Sequence, residues 1–226
     1  MRPIAIIGAS CRFPGASGLR EFWELLRAGR NAVTTVPKDR WDADALVDQN
    51  PESRANVATR HGAFIRNIRE FDCAFFGISP REAAAMDPQQ RLLLETAYEA
   101  FENAGIPMDV LAGSQTAVYV GIGPGDYGRM CAQPWESVTA HYVTGNFLST
   151  AVDRLSYFFD LRGPSMGPCS TDNSPQCRER ARSTDGRSPN PLLTRDDEIG
   201  RAGREMRSRM AGGKGTRLVR RAQCKP

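Results

Sequence analysis

Six cysteines, two histidines and two glycine clusters are the residues of this chain whose chemistry could do something. The cysteines stand at 11, 73, 131, 169, 177 and 224, and no two form a Cys-x-x-Cys pair, so neither a redox pair nor the ligand spacing of a zinc finger is present. With His61 and His141 as the whole imidazole complement, a Cys/His zinc site has almost nothing to work with. Either histidine could be considered as a general base, but neither sits beside a nucleophile in sequence, and lone histidines are usually structural or exposed. A glycine cluster, Gly121-Ile-Gly-Pro-Gly125, follows an apolar stretch, which raises the question of a dinucleotide loop. The fingerprint G-x-G-x-x-G needs glycine at 126, where this chain has Asp126, and Pro124 lies inside the turn. No helix-forming stretch is read directly behind it, and a tight strand-exit turn is the better account. A second cluster, Gly212-Gly-Lys-Gly-Thr216, lacks the direct Lys-Ser/Thr step and the leading glycine of a phosphate loop. No cofactor is implied by either.

The elements that would position such groups are readable in the first 166 residues. Residues 4–8, Ile-Ala-Ile-Ile-Gly, read as a strand buried on both faces. A turn covers 11–15. Leu19, Phe22, Trp23 and Leu26 fall at helical spacing, with Gly29 suited to the position just past the helix end. Residues 31–60 are polar and contain Pro37 and Pro51, a long excursion rather than a core element. An extended segment and a turn ending at Gly77 follow. Ser79-Pro-Arg-Glu82 is a capping box with proline at the first helical position. Asp87-Pro-Gln-Gln90 repeats the device, and the helix behind it carries Leu93, Leu94, Ala97, Tyr98 and Phe101 on one stripe, ending before Gly105 and Pro107. Residues 116–121 read as a second apolar strand and 150–159 as another helix after a variable loop. Strands alternating with helices argue for an α/β layered domain.

Composition divides the chain. Residues 1–166 hold 16 Lys/Arg and 19 Asp/Glu, a net of −3, whereas 167–226 hold 14 and 7, a net of +7. All 18 aromatic residues lie in the first segment. A sixty-residue stretch without aromatics and with few aliphatics cannot easily offset the entropy of ordering itself, so a boundary is placed at 166 and the tail is expected to be disordered. Its arginines could mimic a nucleic-acid footprint, but acids are interspersed and no aromatic is present to stack on a base, so no nucleic-acid partner is assigned. No run approaches the ~20 apolar residues of a membrane span, and the short N-terminal apolar run is not a signal-peptide core. A soluble, reducing, cytoplasmic setting is expected.

Longer stretches identify a lineage. Ile4-Ala-Ile-Ile-Gly-Ala-Ser-Cys-Arg-Phe-Pro-Gly15 and Phe22-Trp-Glu-Leu-Leu-Arg-Ala-Gly29 resemble the opening of ketosynthase domains in modular type I polyketide synthases. Phe71-Asp72 and Phe75-Phe-Gly-Ile-Ser-Pro-Arg-Glu-Ala-Ala-Ala-Met-Asp-Pro-Gln-Gln-Arg91 match that family almost letter for letter. Leu111-Ala-Gly-Ser114, Val118-Tyr-Val-Gly121, Thr144-Gly-Asn146, Arg154-Leu-Ser-Tyr157 and Leu161-Arg-Gly-Pro-Ser165 keep its order and spacing. The resemblance covers about residues 3–166 and identifies the chain as the N-terminal half of a β-ketoacyl synthase.

What the resemblance implies is a thiolase-like fold of two similar α/β halves, and a decarboxylative Claisen condensation between an acyl-cysteine and a malonyl-type extender on an acyl carrier protein. The family works as a homodimer, which is not expected of this chain. The nucleophilic cysteine should stand six residues beyond Met166, where this sequence has Asp172. Cys169-Ser170 echoes the motif only through a three-residue deletion that removes most of the strand placing the cysteine, and Pro175 disfavours the helix that should follow. Two catalytic histidines belong to the family's second half, and neither His61 nor His141 lies in a matching motif. No catalytic residue is therefore carried over, and the chain is expected to be inactive as written. The Arg/Gly/Ser/Pro-rich tail resembles GC-rich DNA translated in an unselected frame. The alternative reading is a non-catalytic interaction module that binds an intact synthase or a carrier protein.

Overall fold

The computed structural model describes residues 3–46, 59–123, 125–133 and 138–167. The expected disorder of the tail, and Cys169 and Asp172 with it, lies outside the described residues. The chain divides into two compact units, Met1–Ile68 with Glu95–Gly105, and Arg69–Leu94 with the remainder from Ile106 onward.

In the first unit, helix α1 (Leu19–Arg27) forms where the apolar spacing places it. Gly29 takes a left-handed φ of 58°, and the N–H groups of Gly29 and Arg30 donate to the carbonyls of Leu26 and Leu25, closing the helix as a Schellman motif. The turn at 13–16 is closed by reciprocal Phe13–Ala16 backbone bonds, and the Phe13 ring stacks on Phe22 at 4.3 Å. The stripe of α1 is otherwise bare, with Trp23 61% exposed. The polar excursion carries a two-residue strand β1 (Thr34–Thr35), antiparallel to β2 (His61–Gly62), and a four-residue helix α2 (Ala43–Leu46).

One expectation fails here. Residues 4–8 form no strand, and Ile4, Ile6 and Ile7 are 95%, 90% and 68% exposed. A strand exists only against a neighbour's backbone, and among the described residues none runs beside this one. The segment leaves the fold at Gly8, whose backbone lies so close to Ala100 and Ala104 that a side chain there would collide with them.

The second unit holds the capped helices α3 (Pro80–Ala85) and the first half of α4 (Pro88–Asn103), followed by short helices α5 (Met108–Leu111), α6 (Tyr127–Cys131) and α7 (Ala140–Asn146), then α8 (Leu148–Phe159). Helix α8 begins two residues earlier than expected and stops at Asp160, in the left-handed region with φ 53°. The parallel pair β3 (Val118–Tyr119) and β4 (Ser165–Met166) aligns Val118 with Ser165 and Tyr119 with Met166. The expected six-residue strand over 116–121 is thus reduced to two, because β4 offers a ladder only that long. Ala151, Val152, Leu155 and Phe159 of α8 are buried, and Phe71, Phe75, Phe76, Phe158 and Phe159 form a continuous aromatic cluster with centroid separations of 4.8–6.3 Å. Among the described residues no helix is long and apolar enough to cross a membrane.

Candidate functional site

The block most specific in sequence, residues 75–91, builds a buried polar node in the second unit. Ser79 Oγ accepts from the backbone N–H of Glu82 at 3.1 Å, as the capping box requires. The reciprocal half of the box is absent: Glu82 turns away and pairs with Arg154 at 2.7 Å. Asp87, buried, caps α4 by accepting from the N–H of Gln89 at 2.8 Å. Gln90 does not reach back to its cap either. It is 2% exposed, donates to the carbonyls of Thr144 and Phe147 at 3.3 Å each, and accepts from Arg154 Nε at 3.1 Å. Arg154 thereby spans α3 and α4 from its place on α8.

Helix α7 docks against the same node. The Asp87 N–H donates to the Gly145 carbonyl at 2.9 Å, and Asn146 Nδ2 donates to Ala85 O at 3.0 Å and Tyr142 O at 2.8 Å. A side chain at 145 would stand 2.5 Å from Ala85 O and 2.9 Å from the Met86 Cα, so only glycine permits this approach. Tyr127 of α6 donates its hydroxyl to Ala84 O at 2.5 Å, and its ring lies 5.7 Å from the buried Arg91 guanidinium. Arg91 Nε and Asn146 Oδ1 have no hydrogen-bond partner among the described residues.

The glycine cluster at 121–125 packs against this node. Gly121 and Gly123 need no left-handed backbone, and the Gly123 carbonyl accepts from Gln89 Nε2 at 3.2 Å. A side chain at 125 would collide with the Asp87 carboxylate. Close approach, rather than the turn expected from sequence, is what requires glycine there. The sequence reading also missed α6, which opens directly behind the cluster; Asp126 supplies no side-chain cap and the helix stops after five residues.

Reactive groups are not gathered here. His61 lies exposed on β2 in the first unit, and His141 is half-buried on α7 in the second. Cys73 is buried, while Cys11 and Cys131 are partly so. Burial pushes both the Cys11 and the Cys131 thiol up, in Cys131 against the lowering influence of its Tyr127 hydrogen bond and of Arg91. A nucleophilic cysteine needs the opposite shift, toward thiolate at neutral pH. Among the described residues no group of three or more His, Cys, Asp or Glu could hold a metal ion. Of the residues that organise the node, Glu82 and Gln90 are expected from sequence only as capping partners, and Asn146 and Arg154 were given no role beyond falling in matching blocks.

An α/β scaffold whose most distinctive residues cap helices and tie them together defines a class, and comparison with known families gives it a name. The family described as "Beta-ketoacyl synthase, N-terminal domain" matches residues 1–174, and the chain belongs to it. Within that family the likeness is to polyketide synthases. The chain is 50% identical over 165 residues to a phenolphthiocerol/phthiocerol polyketide synthase of Mycobacterium tuberculosis, covering 73% of this chain and 11% of that protein. It is 52% identical over 166 residues to the polyketide synthase GfsB of Streptomyces halstedii, covering 73% and 3%. Among solved structures it resembles the ketosynthase from module 6 of the bacillaene synthase from Bacillus subtilis 168, with 36% identity and a TM-score of 0.65 over 79% of this chain and 29% of that one. The described residues are the N-terminal portion of a thiolase-like polyketide synthase ketosynthase, and the chain spans a small part of the relatives it matches.

Proposed function

We propose that this chain carries the scaffold portion of a polyketide synthase ketosynthase and does not by itself perform the condensation. In that reaction a cysteine thiolate takes the acyl group from an acyl thioester and releases the donor thiol. The malonyl-type extender on an acyl carrier protein then loses carbon dioxide, and its enolate attacks the acyl-cysteine, freeing the thiolate again. Acyl carrier protein and acyl thioester are the partners this reading calls for, in a cytoplasmic setting; the homodimer of the family is not assigned to this chain. The observation that carries the reading is the node at 79–91. The side chains of Ser79, Glu82, Asp87 and Gln90 are committed to backbone groups and to Arg154, which is the work of a scaffold and leaves none of the four poised for acyl transfer. We also place the end of ketosynthase-like sequence at Met166 and attribute the change of composition beyond it to a shift of reading frame.

The test is intact-protein mass spectrometry after incubation with an acyl-N-acetylcysteamine thioester. The expected result is an unchanged mass; a stoichiometric acyl increment at Cys169 overturns the reading. Sequencing the coding DNA across the codon for Met166 from fresh genomic template tests the boundary, and an intact in-frame junction sinks the frame-shift explanation. A second reading, a non-catalytic module that binds synthase components, draws on the exposed Ile4, Ile6 and Trp23.

A further inference from the structure

We propose that one buried water is bound between α4, α6 and α7 of the second unit, accepting from Arg91 Nε and donating to Asn146 Oδ1. It joins the capped start of α4 to α7 beneath Tyr127 and Gly128.

Both atoms are closed off from solvent, and neither has a hydrogen-bond partner among the described residues. Arg91 as a whole is only 4% exposed, so its Nε–H cannot turn to bulk water instead. The surrounding contacts bring the two atoms to one place. Tyr127 sets its ring 5.7 Å from the Arg91 guanidinium and donates its hydroxyl to the Ala84 carbonyl. Asn146 Nδ2 donates to the next carbonyl along, Ala85 O, at 3.0 Å. Gly128, directly after Tyr127, faces the same amide: a Cβ there would stand 3.3 Å from Asn146 Oδ1. Gln90, directly before Arg91, donates to the carbonyls of Thr144 and Phe147 on either side of Asn146. The lone donor and the lone acceptor therefore flank the Tyr127–Gly128 step.

Chemistry selects the ligand. The Asn146 amide cannot reverse, because Nδ2 serves both Ala85 O and Tyr142 O, and its oxygen would then face two carbonyl oxygens. What lies between must accept from Arg91 and donate to Asn146. A cation would meet the guanidinium charge. An anion would meet the lone pairs of Oδ1 and the charge of Asp87, which reaches Tyr127 and Cys131 beside it. An apolar molecule satisfies neither atom. Water does both, and buried waters typically use about two to four polar partners. Ordering one water costs less than leaving a buried donor and a buried acceptor both unpaired. Gly128 gains a reason as well. Glycine is unfavourable inside a helix, and no left-handed φ calls for it here. A missing side chain keeps the space beside Oδ1 open.

The experiment is heteronuclear NMR on the isotope-labelled full chain, reading rotating-frame Overhauser contacts with water, whose sign separates dipolar contact from proton exchange. Arg91→Lys identifies the Arg91 Nε–H resonance by its loss. The expected result is a dipolar contact with water at both Arg91 Nε–H and the Gly128 α-protons. The Arg91 contact persists in Tyr127→Phe and in Cys131→Ala, which remove the exchangeable hydroxyl and thiol of α6. It is lost in Gly128→Ala, whose methyl takes the space beside Oδ1. Three results overturn the proposal: no dipolar contact at Arg91 Nε–H in the folded chain, a contact that vanishes in folded Tyr127→Phe or Cys131→Ala, or one unchanged in folded Gly128→Ala. If Gly128→Ala fails to fold, the paired contacts of the unmodified chain decide alone. The acyl-transfer test of the scaffold reading probes other residues, so either result can fail without the other.

Discussion

The node around Asp87 and the segment at 4–8 are both long matches to the same family, yet one is buried and tied together by hydrogen bonds and the other is bare. Asp87, Gln90 and Arg154 find every partner named for them within about seventy residues of chain, among α3, α4, α7 and α8. Ile4, Ile6 and Ile7 need a sheet that the described residues do not contain. The comparison separates two kinds of sequence information. Helix caps and close glycine approaches are specified by the chain that carries them; burial of a strand is specified by whatever lies beside it.

The comparison breaks first if the second unit has no real core. Phe159 is 1% exposed at the junction of α8 and the aromatic cluster. Phe159→Ala should cost about 3–5 kcal/mol, enough to abolish a cooperative thermal transition in so small a unit. A transition unchanged by this substitution would show that the cluster is not packed. Next in size is the node itself. Arg154→Met keeps the length and apolar stem but strands Glu82 and the Gln90 carbonyl, so a loss of about 2 kcal/mol is expected by denaturant titration. Restoring part of it with Glu82→Gln in the Arg154→Met background would sharpen the point that the pair acts as a unit. Asp87→Ala, which removes a cap, should cost about 1 kcal/mol, and more if the cavity beside Gly125 does not close.

These contrasts also explain which features were legible in sequence. Ser79, Pro80, Asp87, Gly29 and Gly105 act within a few residues of themselves, and each sits where local rules placed it. Gln90 and Glu82 obeyed the same local pattern but were drawn to Arg154, more than sixty residues away, which offers a charged partner inside the fold. A capping pattern therefore marked the helix starts correctly while misassigning half of the side chains. Helix α7 was invisible for the complementary reason. Val143, Thr144, Gly145 and Asn146 are poor helix formers, and the element is held by the Gly145 carbonyl and the Asn146 amide against α3 and Asp87. The strand at 4–8 was misread because its apolarity reports the environment it is suited to, not the one it has. Of the candidate chemistry, the upward shift of the Cys131 thiol depends on burial that no local pattern carries.

That thiol gives a prediction of sign rather than size. Burial, opposed by the Tyr127 hydrogen bond and Arg91, holds the Cys131 pKa above its ordinary value, and burial raises the Tyr127 phenol as well. A group that is easier to ionise in the unfolded chain contributes stability that is complete below its unfolded pKa, about 8.5 for a thiol, and is lost as pH rises through the folded value. The melting temperature should thus fall between about pH 8 and pH 10, and Cys131→Ala should make that fall shallower. An equal slope in the variant would remove Cys131 from the account.

The smallest expected effect tests the other side of the comparison. Ile6→Ser at a buried strand position would destabilise by a few kcal/mol, as a lost methylene volume and a stranded hydroxyl both require. At a position 90% exposed, the same change removes nothing that the folded chain uses. It should shift the unfolding free energy by less than about 0.5 kcal/mol in the isolated protein. It should also reduce self-association, since it shortens an exposed apolar run of the kind that templates edge-to-edge pairing. A loss of 2 kcal/mol or more would place Ile6 in a core after all, and the contrast between a self-sufficient node and an unmet strand would then fall.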